Sequence, residues 1–157
     1  MSEVHIRLRP LQEKALKSLD GRRFGVLICH RRFGKTVLAV SRLCRNAASG
    51  RETYRGAYIA PTYRQAKDVA WDYIKKIAVA AGAKVNESEL RVDFRNGARI
   101  RLYGAENPDS LRGLNLCDVV FDEVAQMQPA GDPLTPQVQA RCTSVRQELT
   151  NDQLPTQ

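Results

Sequence analysis

Long hydrophobic runs are missing from this chain. No apolar stretch approaches the ~20 residues that a membrane-spanning helix needs. The opening residues, Met1-Ser2-Glu3-Val4-His5-Ile6-Arg7, hold nothing like the apolar core of a signal peptide. Neither membrane insertion nor secretion is expected. Cysteine is scarce and unpatterned: Cys29, Cys44, Cys117 and Cys142 form no Cys-x-x-Cys pair. A zinc module and a disulfide scaffold are thereby disfavoured, and reduced thiols in a cytoplasm are expected. His5 and His30 have no partner histidine at ligand spacing. Aromatic residues make up only 6% of the chain, and no internal repeat is present. What the chain does have is positive charge. Twenty-five Lys and Arg stand against seventeen Asp and Glu, a net +8 over 157 residues. Such an excess suits a polyanionic partner, either nucleic acid or nucleotide phosphates, without choosing between them.

The charge is unevenly placed. Residues 1–126 carry 23 basic and 14 acidic side chains and all ten aromatics, whereas residues 127–157 carry no aromatic, six glutamines and four of the seven prolines. Two regions are therefore expected: a folded domain over 1–126 and an atypical, poorly packed tail over 127–157. Within the first, Pro10 to about Leu19 reads as a helix, since Pro suits a first turn and Leu11, Ala15, Leu16 and Leu19 share a face. Phe24-Gly25-Val26-Leu27-Ile28-Cys29 reads as a buried strand, and Lys35 to about Ala47 as a helix. Ala57-Tyr58-Ile59-Ala60 is a second buried strand, and Tyr63 to Ala81 the longest helix. Leu90, Val92 and Phe94 alternate with charged residues, as do Ile100 and Leu102 across Asn96-Gly97, which predicts a hairpin closed by a two-residue turn. Val119-Val120-Phe121 is a last apolar strand, ending in Asp122-Glu123. Apolar strands separated by helices indicate an α/β fold with a parallel sheet flanked by helices; the hairpin is expected as an insertion or an edge.

Cys29-His30-Arg31-Arg32-Phe33-Gly34-Lys35-Thr36 stands between a predicted strand and a predicted helix. It fits the phosphate-binding pattern Gly-x-x-x-x-Gly-Lys-Ser/Thr except at its first position, where Cys29 replaces Gly. Such a loop aims backbone N–H groups and a helix N-terminus at phosphate oxygens. In that reading His30, Arg31, Arg32, Phe33 and Gly34 line the phosphates. Lys35 reaches the β- and γ-phosphates, and the Thr36 hydroxyl holds Mg²⁺. An ordinary helix start is the alternative. Eighty-seven residues beyond Lys35, Asp122 closes an apolar strand where a nucleotide hydrolase places its metal-binding carboxylate. Glu123 is then the candidate base for the attacking water, the alternative being a strand running into an acidic turn.

Taken together, residues from about Pro10 to Met127 resemble the large subunit of phage terminases, the DNA-packaging motors. His30-Arg31-Arg32-Phe33-Gly34-Lys35-Thr36 is similar to that family's variant loop, which has an arginine four residues before the lysine and tolerates a non-glycine first position. Ala60-Pro61-Thr62-Tyr63-Arg64-Gln65-Ala66 resembles its second conserved segment. Asp109-Ser110-Leu111-Arg112-Gly113 is typical of the stretch before its acidic strand, and Pro10-Leu11-Gln12 resembles an adenine-contacting motif shared with helicases. The resemblance implies a P-loop NTPase-like fold that uses ATP and Mg²⁺. It implies Arg31 as a cis-acting arginine finger, Gln12 as an adenine contact and Arg112 as a sensor of nucleotide state. The partners it implies are DNA, the portal protein and the small terminase subunit, with the host bacterial cytoplasm as location. A helicase-like DNA-dependent ATPase and a non-catalytic nucleotide-binding remnant are the alternatives; Val124-Ala125 after Asp122-Glu123 does not match a helicase box. Arg91, Arg95, Arg99 and Arg101 form a basic hairpin face, read either as a DNA-backbone contact or as a solvated face balanced by Asp93.

Large terminases are much longer, and residues 128–157 do not follow their pattern, as a frameshift or a fragmentary gene would give. The fold is therefore expected to be incomplete on its C-terminal side. In P-loop ATPases of this kind a further strand lies between the loop strand and the acidic strand. Gln137–Thr150 reads better as a helix, with Val138, Cys142, Val145 and Leu149 at helical spacing. Abnormal pairing or a gap between the two strands is the expectation, with weak nucleotide binding and little turnover as its consequence.

Overall fold

A computed structural model describes residues 7–30 and 32–127. Arg31, the tail from 128 onward and the helix expected over Gln137–Thr150 lie outside the described residues. The first helix, α1, runs Pro10–Leu19, and α2 runs Lys35–Ser49. Strand β1 spans Arg55–Ala60. The long helix expected after it has three parts: α3, Tyr63–Ala66, a π-helical turn over Lys67–Trp71, and α4, Asp72–Ala80. Strands β2 (Lys84–Asn86), β3 (Arg91–Asp93), β4 (Arg99–Gly104) and β5 (Asp118–Phe121) follow. Short 3₁₀ turns lie at Pro108–Leu111 and Val124–Gln126.

The five strands form one sheet in the order β2-β3-β4-β1-β5. β1 pairs in parallel with β4 on one side and β5 on the other, Tyr58 standing opposite both Leu102 and Val120. Five of the six β1 residues are buried, as a strand covered on both faces requires. One face packs against α2 and the α3–α4 helix, where Tyr58, Val92, Ile100 and Leu102 meet Leu43, Cys44, Ala70, Trp71 and Ile74. Burial pushes the Cys44 thiol up to about 12, so it serves as a small hydrophobe. A smaller cluster of Ala57, Ile59, Tyr103 and Met127 covers the other face.

Three expectations need correction. The hairpin is not an edge: β3 and β4 both lie inside the sheet, β4 antiparallel to β3 and parallel to β1. Its alternation hid this position, because Arg99 and Arg101 are tolerated on the thinly covered face while Ile100 and Leu102 are fully buried. The hairpin turn also has three residues, not two. Phe94 N–H donates to Ala98 O, and Gly97 N–H donates to Phe94 O, which with Gly97 at φ +83° is a type I turn closed by a glycine bulge. Lastly, residues 24–29 are not a strand. Phe24 is 64% and Ile28 46% exposed. β5 pairs with β1 alone among the described residues, so the apolar 24–29 segment has no ladder to join. Among the described residues neither the loop segment nor any other strand pairs with the second edge of β5. β2, which the sequence did not reveal, is short and polar; it is pinned by Trp71, whose Nε1–H donates to Glu87 at 2.6 Å, and by Lys75, 3.1 Å from the same carboxylate.

Asn96, in the hairpin turn, closes the far end of α2. Its Nδ2 shares its two protons among the carbonyls of Ala47 (2.8 Å), Gly50 (3.0 Å) and Ala48 (3.3 Å), adding to the C-cap bond that Ala47 O accepts from Gly50 N–H. The hairpin thus fixes the helix that carries Lys35 and Thr36. Asn96→Ala is expected to lower unfolding free energy by about 1–3 kcal/mol, measured by urea denaturation, against less than about 0.5 kcal/mol for Arg95→Ala in the same turn.

Candidate functional site

The loop before α2 is bent by its backbone. Arg32 has φ +66° and Gly34 φ +84°, and Phe33 N–H donates to His30 O at 3.4 Å. A side chain at 34 would be strained and would also strike Gln12 Nε2 at 2.5 Å, so only glycine fits. Gly34 is the N-cap of α2, and the first-turn N–H groups that a helix leaves without intrahelical partners make this end of α2 its positive pole. Lys35 Nζ donates to Cys29 O at 3.1 Å, folding back across the loop it follows. His30 and Phe33 meet edge to face, their ring centres 6.4 Å apart.

α1 holds this loop from behind. Gln12 is only 4% exposed, so it is not a solvent-facing helix residue. Its Nε2 donates to Phe33 O at 3.0 Å and Gly34 O at 3.2 Å, while its Oε1 accepts from Arg9 N–H at 2.9 Å. Arg9 adds donations to Phe33 O and to Arg32 O. Adenine contact was the role implied for Gln12; the structure shows its amide tethering the loop before α2. The pattern of residues 10–12 gives no hint of that, because the partners are loop carbonyls more than twenty residues away.

On the sheet side, β5 delivers Asp122, whose N–H donates to Ile59 O at 2.9 Å. The Asp122 carboxylate accepts a hydrogen bond from the hydroxyl of Tyr58, a fully buried residue of β1. The Thr36 side chain stands near the same phenol and, unlike Asp122, works to lower the Tyr58 pKa. Burial first, and then the bond to Asp122, push the Tyr58 pKa far above its ordinary value, so it remains a donor. The two oxygen-bearing residues expected to flank a cation therefore both lie near Tyr58, Asp122 as its hydrogen-bond partner and Thr36 as a neighbour that affects its pKa. Tyr58 was absent from the sequence-derived site; read locally it is one more apolar residue of a buried strand. Glu123 follows at φ +52°, an uncommon conformation for a side-chain-bearing residue. Its carboxylate is exposed, with Gln126 Nε2 at 3.4 Å.

Other expected residues stand elsewhere. Arg112 is an exposed partner of Asp109 at 3.3 Å. On the hairpin face Asp93 binds both Arg99 (2.6 Å) and Arg91 (3.0 Å). Burial works to raise the Asp93 pKa, but the bond to Arg99 and the two guanidinium charges outweigh it and hold the carboxyl low. That face is accordingly balanced by Asp93 at two of its four arginines. Trp71 is 1% exposed and packs in the core. Among the described residues no three or more His, Cys, Asp or Glu side chains converge on a metal position, and no helix is long and apolar enough to cross a membrane.

A mostly parallel sheet, a bent loop opening a helix and an acid at the end of an adjacent strand define a P-loop-like α/β domain. Its fold is similar to two solved phage proteins. The large terminase of a thermophilic bacteriophage aligns with a TM-score of 0.64 at 20% identity, covering 87% of this chain and 36% of that one. The large terminase ATPase domain of Thermus phage P74-26 aligns with a TM-score of 0.52 at 24% identity, covering 71% of this chain and 53% of that one. The chain thus spans about a third of one and about half of the other. No curated protein sequence matches it. Residues 30–143 match the family described as terminase large subunit, T4likevirus-type, N-terminal, and the chain belongs to that family. The match runs past Met127 to residue 143, so the family pattern extends into the tail, where the sequence had been read as departing from it.

The tether predicts a base-independent effect at Gln12. Gln12→Ala is expected to weaken binding of ATP and GTP alike, each by about 10-fold, a loss of ~1.4 kcal/mol. Competition titration with the two nucleotides checks this; a loss confined to ATP would restore adenine contact as the role of Gln12.

Proposed function

We propose that this chain is the ATP-binding part of a phage large terminase, and that in the whole protein it couples ATP hydrolysis to DNA translocation into a procapsid, together with the portal protein and the small terminase subunit. The observation that carries the reading is the placing of Thr36 and Asp122 near Tyr58, beside a glycine-capped loop at the start of α2. Backbone N–H groups of residues 32–36 and the Lys35 ammonium would take the phosphates. The donor set at the cation position is a hydroxyl and a carboxylate, hard oxygen ligands few in number, which fits Mg²⁺. Bound there, Mg²⁺ would neutralise charge on the β- and γ-phosphate oxygens. Glu123 would take the proton of the attacking water, and its exposure leaves it accessible to that water. Arg31 would stabilise the charge that develops on the γ-phosphate. DNA as the partner fits the +8 net charge.

A second reading, nucleotide binding without turnover, is favoured by the 24–29 segment, which joins no strand among the described residues although it runs into the phosphate loop. Displacing Glu123 from the phosphates by ~1 Å would cost ~100-fold in rate. Two variants separate the readings. Lys35→Ala is expected to weaken ATP binding by at least ~10-fold, since a charge-assisted phosphate contact contributes ~1.5–3 kcal/mol. Glu123→Gln is expected to leave binding intact and abolish whatever steady-state hydrolysis the unsubstituted chain shows. Equal ATP affinity of wild type and Lys35→Ala would overturn the loop assignment. Hydrolysis persisting in Glu123→Gln would place the base elsewhere.

A further inference from the structure

Packing alone does not call for a tyrosine at position 58. The residue is at the centre of β1, between β4 and β5, with its ring in the main core and no solvent exposure. A phenylalanine would fill the same space. The hydroxyl instead reaches the rim of the core, donates to Asp122 Oδ2 and stands near the Thr36 side chain. A phenol has one proton to give, and that proton goes to Asp122.

This arrangement has a consequence for lone pairs. With Oδ2 of Asp122 held by Tyr58, the other carboxylate oxygen is left to face a cation or its water. Carboxylates that bind metals are themselves held by such outer hydrogen bonds, and losing one costs 10–100-fold in metal affinity. We propose that Tyr58 is a positioning residue that orients Asp122 toward Mg²⁺ and so makes the site selective for the metal–nucleotide complex. The proposal rests on the nucleotide-site reading above.

The basic cavity on the opposite face, about 310 Å³ and lined by Arg55, Arg99 and Arg101, carries less. Arg55 already donates to three carbonyls and Arg99 to Asp93. Arg101 Nε alone is buried without a hydrogen-bond partner among the described residues.

The test is the Mg²⁺ dependence of nucleotide binding in the full chain, read with a fluorescent ATP analogue at a series of Mg²⁺ concentrations. For Tyr58→Phe the half-saturating Mg²⁺ is expected to rise 10–100-fold, while affinity for the nucleotide without metal stays within about twofold of wild type. Unchanged half-saturation in Tyr58→Phe, against clear Mg²⁺ dependence in wild type, overturns the positioning role and leaves the site reading standing. No Mg²⁺ dependence in wild type itself overturns both. As a second measurement that keeps the hydroxyl and the packing, 3-fluorotyrosine is placed at position 58. Its ¹⁹F resonance is expected to shift when Mg²⁺ and nucleotide are added together, and not in an Asp122→Asn background. A resonance indifferent to the metal overturns the proposal even where Tyr58→Phe fails to fold.

Discussion

The double-sided parallel pairing of β1 is the constraint on which the rest of this structure depends. Because β1 is bonded to β4 and β5 and buried on both faces, its residues have fixed depths. Tyr58 faces the helices and Ala57 and Ile59 the opposite cluster. That geometry carries β5 to the place where Asp122 accepts from Tyr58, and it seats α2 so that Thr36 lies nearby. Further along α2, Asp118 at the start of β5 accepts from Asn46 at 2.7 Å and pairs with Arg42 at 3.7 Å. Helix and acidic strand are therefore joined there by side chains rather than by backbone.

The loop before α2 is held differently. Its carbonyls point toward Gln12 and Arg9 at the N-terminal helix, and its approach segment, 24–29, lies outside the sheet. In a fold of this type the loop's position comes from the strand that feeds it. Here α1 takes a larger share of that task. The loop is accordingly the softer half of the site and the β1–β5–α2 junction the stiffer half, a difference that follows from backbone ladders being cooperative and side-chain tethers being individually weak.

Much of this was legible in the sequence for identifiable reasons. α1 begins at a proline and ends at Asp20-Gly21, so its bounds follow from local chemistry, and β1 announces itself as a short apolar run between breakers. Residues 24–29 carry the same local signal yet form no strand, because a strand exists only by pairing and nothing among the described residues pairs there. The place of β4 inside the sheet was hidden because alternation reports one buried face and says nothing of which neighbours lie alongside. The π-helical turn at Lys67–Trp71 leaves no mark on a periodicity read over a whole helix. Lys35, Thr36, Asp122 and Glu123 could be proposed as site residues from the spacing between residue types. Gln12 as a tether and Tyr58 as the partner of Asp122 could not, since each role consists of contacts to residues far away in the chain.

The central claim is that Thr36, Tyr58 and Asp122 form one nucleotide-responsive junction. Hydrogen exchange of the purified 157-residue chain, with and without saturating Mg²⁺ and ATP, tests it most directly. Added together, they are expected to slow exchange both at residues 32–38 and at residues 118–123, with little change in β2 and β3. Protection of the loop without protection of the acidic strand, or no protection at either, would contradict the account.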